Sequence, residues 1–374
     1  MNEMQYLTFD SLTEGVGASQ ALAYVRKIAL NRPINIISFE KEMPSPALIA
    51  DVVSENLRWT PLEFGRYGLF GGISRVIRMS WRMDSKKVTH ARGNLAALAA
   101  LLRSTKYWIW DCRSLHADQR RALSRSKKRT LSFLAMGSIE HLLAKRSTSI
   151  IVITKSVIPV FISRFKIAKA KMTMIPTCVD TERFVVRQRS EDDFIKILLP
   201  GTFSPAYDFE LMQKIITKLR QGRKVWVTVA TSVGATNAWK SFDYDSLVSV
   251  SHGEMPNLVA ENDLGMSIWK NDLGICLTSV ASTKVAEFLA CGRPVLVNSL
   301  QGDIGKLVQE YSLGVSTHGS SDIEIENYVN EIIKLLKDPQ TEKRCRAIAE
   351  EQFDLNRAVQ LLLEIYDSFN TKKF

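Results

Sequence analysis

The residues best suited to chemistry lie late in the chain, in the run STKVAEFLACGRPVLV at 282–297. It reads as a short helix followed by a strand. Ser282 or Thr283 caps the helix, Gly292 ends it, and Pro294 stops it from continuing. The N–H groups at such a start, with the helix dipole behind them, suit a phosphate. Lys284 puts a cation in the first turn, where the dipole disfavours it unless an anion is present. Glu287 lies one turn further on, with acceptor oxygens for sugar hydroxyls. The same spacing fits an ordinary surface helix with a Lys284–Glu287 ion pair at i, i+3, and spacing alone leaves both readings open.

A second set of polar residues is spread over the first half. Gly15 and Gly17 follow the short apolar run at 4–9. Such a pair fits a tight turn needing positive φ. It also fits a ligand loop at the carboxyl edge of a parallel sheet, where Ser19 and Gln20 would offer hydrogen bonds. His90 with Arg92, and Asp111 with Arg113, each close an apolar run and belong at the same edge. Asp111 is the candidate to orient an acceptor hydroxyl or take its proton, with Arg113 and His90 as its catalytic companions. The alternatives are a helix cap or ion pair for Asp111 and a satisfied strand-end histidine for His90. No HExxH, CxxC or paired-carboxylate motif occurs, so no metal site is expected. The five cysteines, at 112, 178, 276, 291 and 345, are scattered and read as free thiols.

These residues need a scaffold, and the pattern supplies one. Apolar, β-branched runs at 34–39, 107–110, 150–153 and 172–175 alternate with helical stretches such as 95–102. A polar, aperiodic break falls at 187–193. After it the alternation restarts, with strands at 196–199, 225–229, 264–268 and 295–297 and a helix at 209–219. Strand–helix repetition of this kind makes parallel sheets covered by helices. A chain of 374 residues fits two such domains. The last apolar spacing, at 355–369, predicts a closing helix.

The net charge of +11 is unevenly placed. Residues 66–171 hold 23 Lys and Arg against four acids, a net of +19, and the remainder carries −8. A patch of this sign attracts phosphates of lipid, nucleic acid or a diphosphate substrate. No RNP, KH, zinc or helix-turn-helix pattern accompanies it, so a nucleic-acid binder is not expected. No apolar run approaches the ~20 residues needed to cross a bilayer, and with Glu3 and Asp10 and no basic n-region, residues 1–12 are not expected to act as a signal peptide.

The 282–297 run resembles the donor-site signature of retaining glycosyltransferases of family 4, which have the GT-B fold. The branch it is similar to, in bacterial surface-polysaccharide assembly, reads SPTKxxEYLACGxPV; this chain departs at Ala281-Ser282, with no proline before Thr283. The stretches FDSLTEGVGASQ (9–20), WDCRSLHAD (110–118), MIPTCVDTERF (174–184) and SHGEMP (251–256) resemble further segments of the family in the same order. The resemblance implies an α/β GT-B architecture, two Rossmann-like domains facing each other across a cleft. They would span 1–188 on the acceptor side and 189–352 on the nucleotide-sugar side, with a helix at 353–374 crossing back to the first.

It also implies site roles. Glu287 would bind the ribose of a nucleotide-sugar, and amides near Ser282 and Thr283 the diphosphate, with Lys284 beside them. Ser279 stands where many relatives carry a first glutamate. Glu254 and Met255 would border the base, and Gly201 and Thr202 the phosphates. Gly15, Gly17, Ser19 and Gln20 would form the acceptor-side loop. Relatives often read GRLxxxKG after the first strand of the second domain; here GTFSPAYD (201–208) puts Thr202 and Tyr207 in place of the two cations.

The implied activity is metal-independent sugar transfer, with retention, to a hydroxyl of a lipopolysaccharide, capsule or exopolysaccharide acceptor. The nucleotide-sugar is a substrate, and no cofactor is expected. The enzyme would be cytoplasmic, peripheral at the inner face of the plasma membrane, with an anionic-membrane contact and a glycan or lipid-diphosphate-linked glycan acceptor. The alternative is a weak or inactive scaffold that binds membrane or a partner through its basic first domain.

Overall fold

The computed structural model describes residues 3–123, 130–189, 193–201, 204–231 and 239–370. By contacts the chain forms two units, one of residues up to Pro176 together with those from Leu355 onward, the other Thr177–Asp354.

The first unit runs β1 (Met4–Leu7), α1 (Ala23–Ala29), β2 (Ile34–Glu40), α2 (Pro46–Val52), β3 (Leu57–Glu63), α3 (Gly68–Arg82), β4 (Thr89–Arg92) and α4 (Gly93–Leu102). It continues through β5 (Trp108–Cys112), α5 (His116–Leu123), α6 (Thr130–Arg146), β6 (Ser149–Val152), α7 (Ile158–Phe165) and β7 (Met172–Met174). Its seven strands are all parallel, in the order β3-β2-β1-β4-β5-β6-β7. The order reverses between β1 and β4, so a crevice opens at the carboxyl ends of those strands.

The second unit repeats the plan. It has β8 (Phe194–Pro200), α8 (Phe209–Arg220), β9 (Lys224–Ala230), β10 (Ser246–Val248), α9 (Met255–Ala260), β11 (Leu264–Ser267) and α10 (Thr283–Ala290). Then come β12 (Val295–Asn298), α11 (Ile304–Glu310), β13 (Gly314–Thr317), α12 (Asp322–Lys337) and α13 (Thr341–Gln352). The six-stranded parallel sheet is ordered β10-β9-β8-β11-β12-β13, with its reversal between β8 and β11.

Both sheets are buried on both faces, as their near-continuous apolar strands require. One face of the first sheet, with Trp108 and Trp110 of β5, packs against α3, α4, α6 and α7, the last contributing Phe161 and Phe165. The second sheet has a core on each side, one with Phe288 of α10 and one with Ile215 of α8. All five cysteines are buried free thiols. Among the described residues no single helix is long and apolar enough to cross a membrane.

The polar stretch at 187–193 does not separate the units, and the border expected at residue 188 falls inside the second one. Buried Arg293 donates to the Arg187 carbonyl (2.6 Å), and Arg189 donates to the Leu336 carbonyl (2.8 Å). At Arg187 and Arg189 the polarity reflects chain pinned through arginines, and residues 190–192 lie outside the described residues. The outgoing and returning chain run side by side where Val179 N donates to Phe353 O (2.8 Å). After that pairing comes α14 (Leu355–Asn370). Leu355, Val359, Leu362 and Tyr366 are buried, and the helix packs on α1 of the first unit.

Candidate functional site

Two constellations meet the chemistry the sequence suggested, one in each unit. In the second unit, Ser282 is the N-cap of α10, with an extended backbone (ψ 123°) and no capping bond from its hydroxyl. Thr283 and Lys284 form the first turn. Gly292 ends the helix at φ +72°, where a side chain would strike Glu342. Lys284 does not pair with Glu287. It turns back over Gly201, at the carboxyl end of β8, and its Cε and Nζ would lie 2.5 Å from a Cβ placed there. Gly201 holds φ +115°, a backbone state open to glycine.

Glu287 is 8% exposed. Burial raises its carboxyl from 4.5 to about 7, against the pull of Lys284 and Arg183, which act through space. No described residue donates a hydrogen bond to that carboxylate. Its oxygens are thus acceptors without a protein donor, which is costly unless hydroxyls reach them. Arg183 was not singled out in the sequence. It donates to His252 Nε2 (3.1 Å) and to the His252 carbonyl (3.2 Å), tying the 251–254 loop to the surroundings of Glu287.

The same sheet edge holds further polar atoms that sequence reasoning missed. Thr231 Oγ1, Ser267 Oγ, Trp269 Nε1 and both amide atoms of Gln301 are buried without a partner among the described residues. They follow or end β9, β11 and β12, at the carboxyl edge where α10 begins. Native proteins rarely leave such groups unsatisfied, so a polar ligand or water belongs with them. No sequence signal marks them, because each is an ordinary residue made distinctive only by burial.

The remaining expected residues divide. Ser279 is buried and gives its hydroxyl to the Cys276 carbonyl (3.1 Å). Glu254 is exposed, and its Oε2 accepts from Ser251 N (2.8 Å) and Oγ (2.7 Å), a local cap at the start of α9. Met255 packs on the adjoining core. Thr202 lies outside the described residues. Tyr207 serves packing: its ring is 5.0 Å from that of Trp269, and the two residues form a backbone bridge. A separate groove of about 800 Å³ follows the free edge of β13, lined by Ser316, His318, Tyr328 and Arg344 among others, and holds none of the expected residues.

In the first unit, β4 and β5 bring His90, Arg92 and Asp111 together at the carboxyl edge, with Arg113 just beyond. Asp111 is buried. Its Oδ2 lies 3.4 Å from His90 Nε2 and 3.5 Å from Arg92 Nη1, and its Oδ1 is 3.3 Å from Arg113 Nη1. Burial raises its pKa, but Arg113, His90 and Arg92 outweigh that and hold it far below the carboxylate range. A carboxylate so held does not take a proton near neutrality, so its fitted role is orientation. Burial lowers the pKa of His90, partly offset by its bond to Asp111, so the imidazole is neutral. Arg92 also reaches Asp10 after β1 (3.2 Å).

Gln20 lines the small crevice beside His90, Arg92, Asp111 and Arg113. Gly17 is buried where a Cβ would strike the Ser11 carbonyl at 1.7 Å, so its smallness lets the loop close on itself. Gly15 has φ +46° and open space around it, and its carbonyl accepts from Ser19 Oγ (3.0 Å). Of that loop, the geometry brings only Gln20 to the charged cluster.

Two parallel α/β sheets of this order, each with its polar residues at the switch point, define a two-domain Rossmann-like GT-B fold. No protein-family model and no curated protein sequence matches the chain. Solved structures do. The chain is similar to a sucrose-phosphate synthase from Thermosynechococcus elongatus, with 13% identity, 100% of each chain covered and a TM-score of 0.74. It is similar to HepE of Anabaena in complex with UDP and glucose (14% identity, 98% and 99% covered, TM-score 0.69). It is also similar to WaaG, a glycosyltransferase involved in lipopolysaccharide biosynthesis (12%, 97% and 99%, TM-score 0.64). The likeness is one of fold.

Proposed function

We propose that this chain is a glycosyltransferase that moves a sugar from a nucleotide-sugar to a hydroxyl of a bacterial cell-surface glycan. The observation that carries the reading is Glu287: a buried carboxyl raised to about 7, with no described hydrogen-bond donor, one turn into a helix whose first-turn lysine lies over a glycine. That arrangement suits a ribose diol beside a diphosphate. The fold supports it, since GT-B structures include HepE with UDP and glucose. The acceptor class rests on the family resemblance and on the likeness to WaaG, a glycosyltransferase involved in lipopolysaccharide biosynthesis.

In this reading the α10 amides and Lys284 stabilise the charge that develops on the departing diphosphate. Glu287 accepts from the ribose, and no metal is invoked. Asp111 and His90, held by Arg92 and Arg113, orient the acceptor on the first unit. Transfer with retention, by attack on the face the leaving group departs from, follows from the resemblance to family 4. The enzyme works at the inner face of the plasma membrane.

One observation favours the weak-scaffold alternative: Tyr207, in place of a cation, is committed to packing on Trp269. Lys284 over Gly201 supplies a cation at the start of the same stretch. A thermal-shift panel of UDP-, GDP- and CDP-sugars, followed by hydrolysis of the best ligand, separates the two. Protection that is lost in Glu287→Ala supports the transferase. No protection by any donor refutes it.

A further inference from the structure

The surface that seats the first unit can be read from its helices. Contacts link α3 to α4, α4 to α6 and α6 to α7, so these helices form one layer over the sheet. Their inner sides make the core. Their outer side is unusually apolar. Phe70 is 86% exposed, Leu69 76%, Tyr67 74% and Trp81 73%. Leu102 of α4 and Leu134 of α6 are exposed on the same layer. Along α3, Phe70, Ile73, Ile77 and Trp81 recur at helical spacing, a stripe roughly 16 Å long. Its opposite face, with Val76 and Met79, is already buried in the core.

The apolar tip is held rather than slack. Buried Arg75 donates from Nη1 to the carbonyls of Phe64 (3.1 Å) and Arg66 (2.7 Å), and its guanidinium covers the Phe64 ring at 3.9 Å. Gly71 lets the Arg66 carbonyl approach where a Cβ would stand 1.8 Å away. Gly68, at φ +86°, then turns the chain into α3. A contiguous apolar patch presented by a pinned backbone marks an interaction surface.

Charge selects the occupant. Residues 64–83 contain no acid and four arginines, of which Arg66 and Arg82 are exposed while Arg75 is buried, and the 66–171 segment that includes this layer carries +19. Two copies apposed through it would set like charge against like. A nucleic acid would use the cations and leave the apolar tip in water. A bilayer with anionic headgroups uses both: cations gather at the phosphates while aromatic and aliphatic side chains enter the interface.

We propose that the outer face of this helical layer binds an anionic lipid bilayer, with Tyr67, Leu69 and Phe70 entering the interface and α3 lying along it. The proposal deepens the membrane part of the function proposed above and rests on that reading for its biological setting. Its test reads lipid binding alone, so failure of the donor assignment would leave it standing.

The experiment is flotation of the full chain with vesicles of phosphatidylcholine, with or without phosphatidylglycerol. The chain should float with the anionic vesicles, not with the neutral ones, and leave them as salt rises. Leu69→Ser with Phe70→Ser should cut the bound fraction roughly tenfold or more without moving the melting temperature, since both side chains are exposed. Addition of anionic vesicles should blue-shift tryptophan emission in the wild type and less so in Trp81→Phe. Flotation of the double variant equal to wild type would overturn the proposal, as would equal binding to neutral vesicles. RNA binding that the double variant retains, with no flotation, would assign the face to nucleic acid instead.

Discussion

The Tyr366 hydroxyl donates to His90 Nδ1 at 2.7 Å, joining the last helix of the chain to the fourth strand. The other ring nitrogen, Nε2, faces the Asp111 carboxylate at 3.4 Å. An ionised carboxylate only accepts, so Nε2 carries the proton and Nδ1 is the acceptor. The imidazole stacks on Tyr6, with centroids 4.5 Å apart. One buried histidine is therefore fixed from three sides by residues of β1, β5 and α14.

Tyr366→Phe tests this arrangement. The ring and its packing stay, but His90 Nδ1 loses its donor while buried. An orphaned buried acceptor costs about 1–3 kcal/mol. The urea midpoint of the full chain should fall accordingly. An unchanged midpoint would mean that the hydroxyl contributes nothing to seating α14.

The same histidine predicts an acid-sensitive first unit. Its pKa is lowered from 6.5 by burial, with Asp111 offsetting part of the shift. The unfolded chain therefore takes up a proton at a higher pH than the folded one. Stability is full above 6.5 and falls as pH drops through the lowered folded value. Asp111 adds a loss only below its unfolded pKa of 3.8. His90→Gln removes the first titration, so its melting temperature should decline less than that of wild type as pH falls below 6.5. Parallel curves would refute the assignment.

Most central strands were legible from sequence because a strand buried on both faces favours a continuous apolar run; central β4, THAR at 89–92, is the polar exception, marked only by its His90 and Arg92. The strands it did not reveal are β3, β10 and β13, all at sheet edges. An edge strand is half wet, so it needs no such run, and β3 even accommodates Pro61, which lacks a ladder donor. Site residues followed the same rule. Glu287, Lys284 and Asp111 sit in local patterns that could be read. Arg183, Thr231, Ser267 and Gln301 gain meaning only from long-range burial, which no short window of residues encodes.

Glu287 makes binding pH-dependent if it holds the ribose. With its carboxyl at about 7 in the free protein, ribose hydroxyls that donate to it favour the ionised form. The diphosphate of a nucleotide-sugar has no proton to lose near neutrality, so the dependence belongs to the protein. Affinity should tighten roughly tenfold from pH 6 to pH 8. Calorimetry in two buffers of different ionisation enthalpy should show a proton released on binding. Glu287→Gln should flatten the profile, and a wild-type affinity independent of pH would reject the ribose contact.

Gly201 and Lys284 offer a test that separates binding from folding. A methyl at 201 would stand 2.5 Å from Lys284 Cε and Nζ, so the flexible lysine end must move. It must also sit at φ +115°, which costs about 1–2 kcal/mol of stability whatever the lysine does. Lys284→Met removes the cation without that strain. Each single change should weaken nucleotide-sugar affinity by roughly tenfold to a hundredfold, the loss of one charge-assisted contact. The double variant decides the cause. If Gly201→Ala acts on binding by displacing Lys284, it should have little further effect on affinity once the lysine is gone, while its cost in melting temperature persists. Additive losses of affinity would show that the glycine serves the ligand by close backbone approach, independently of the lysine.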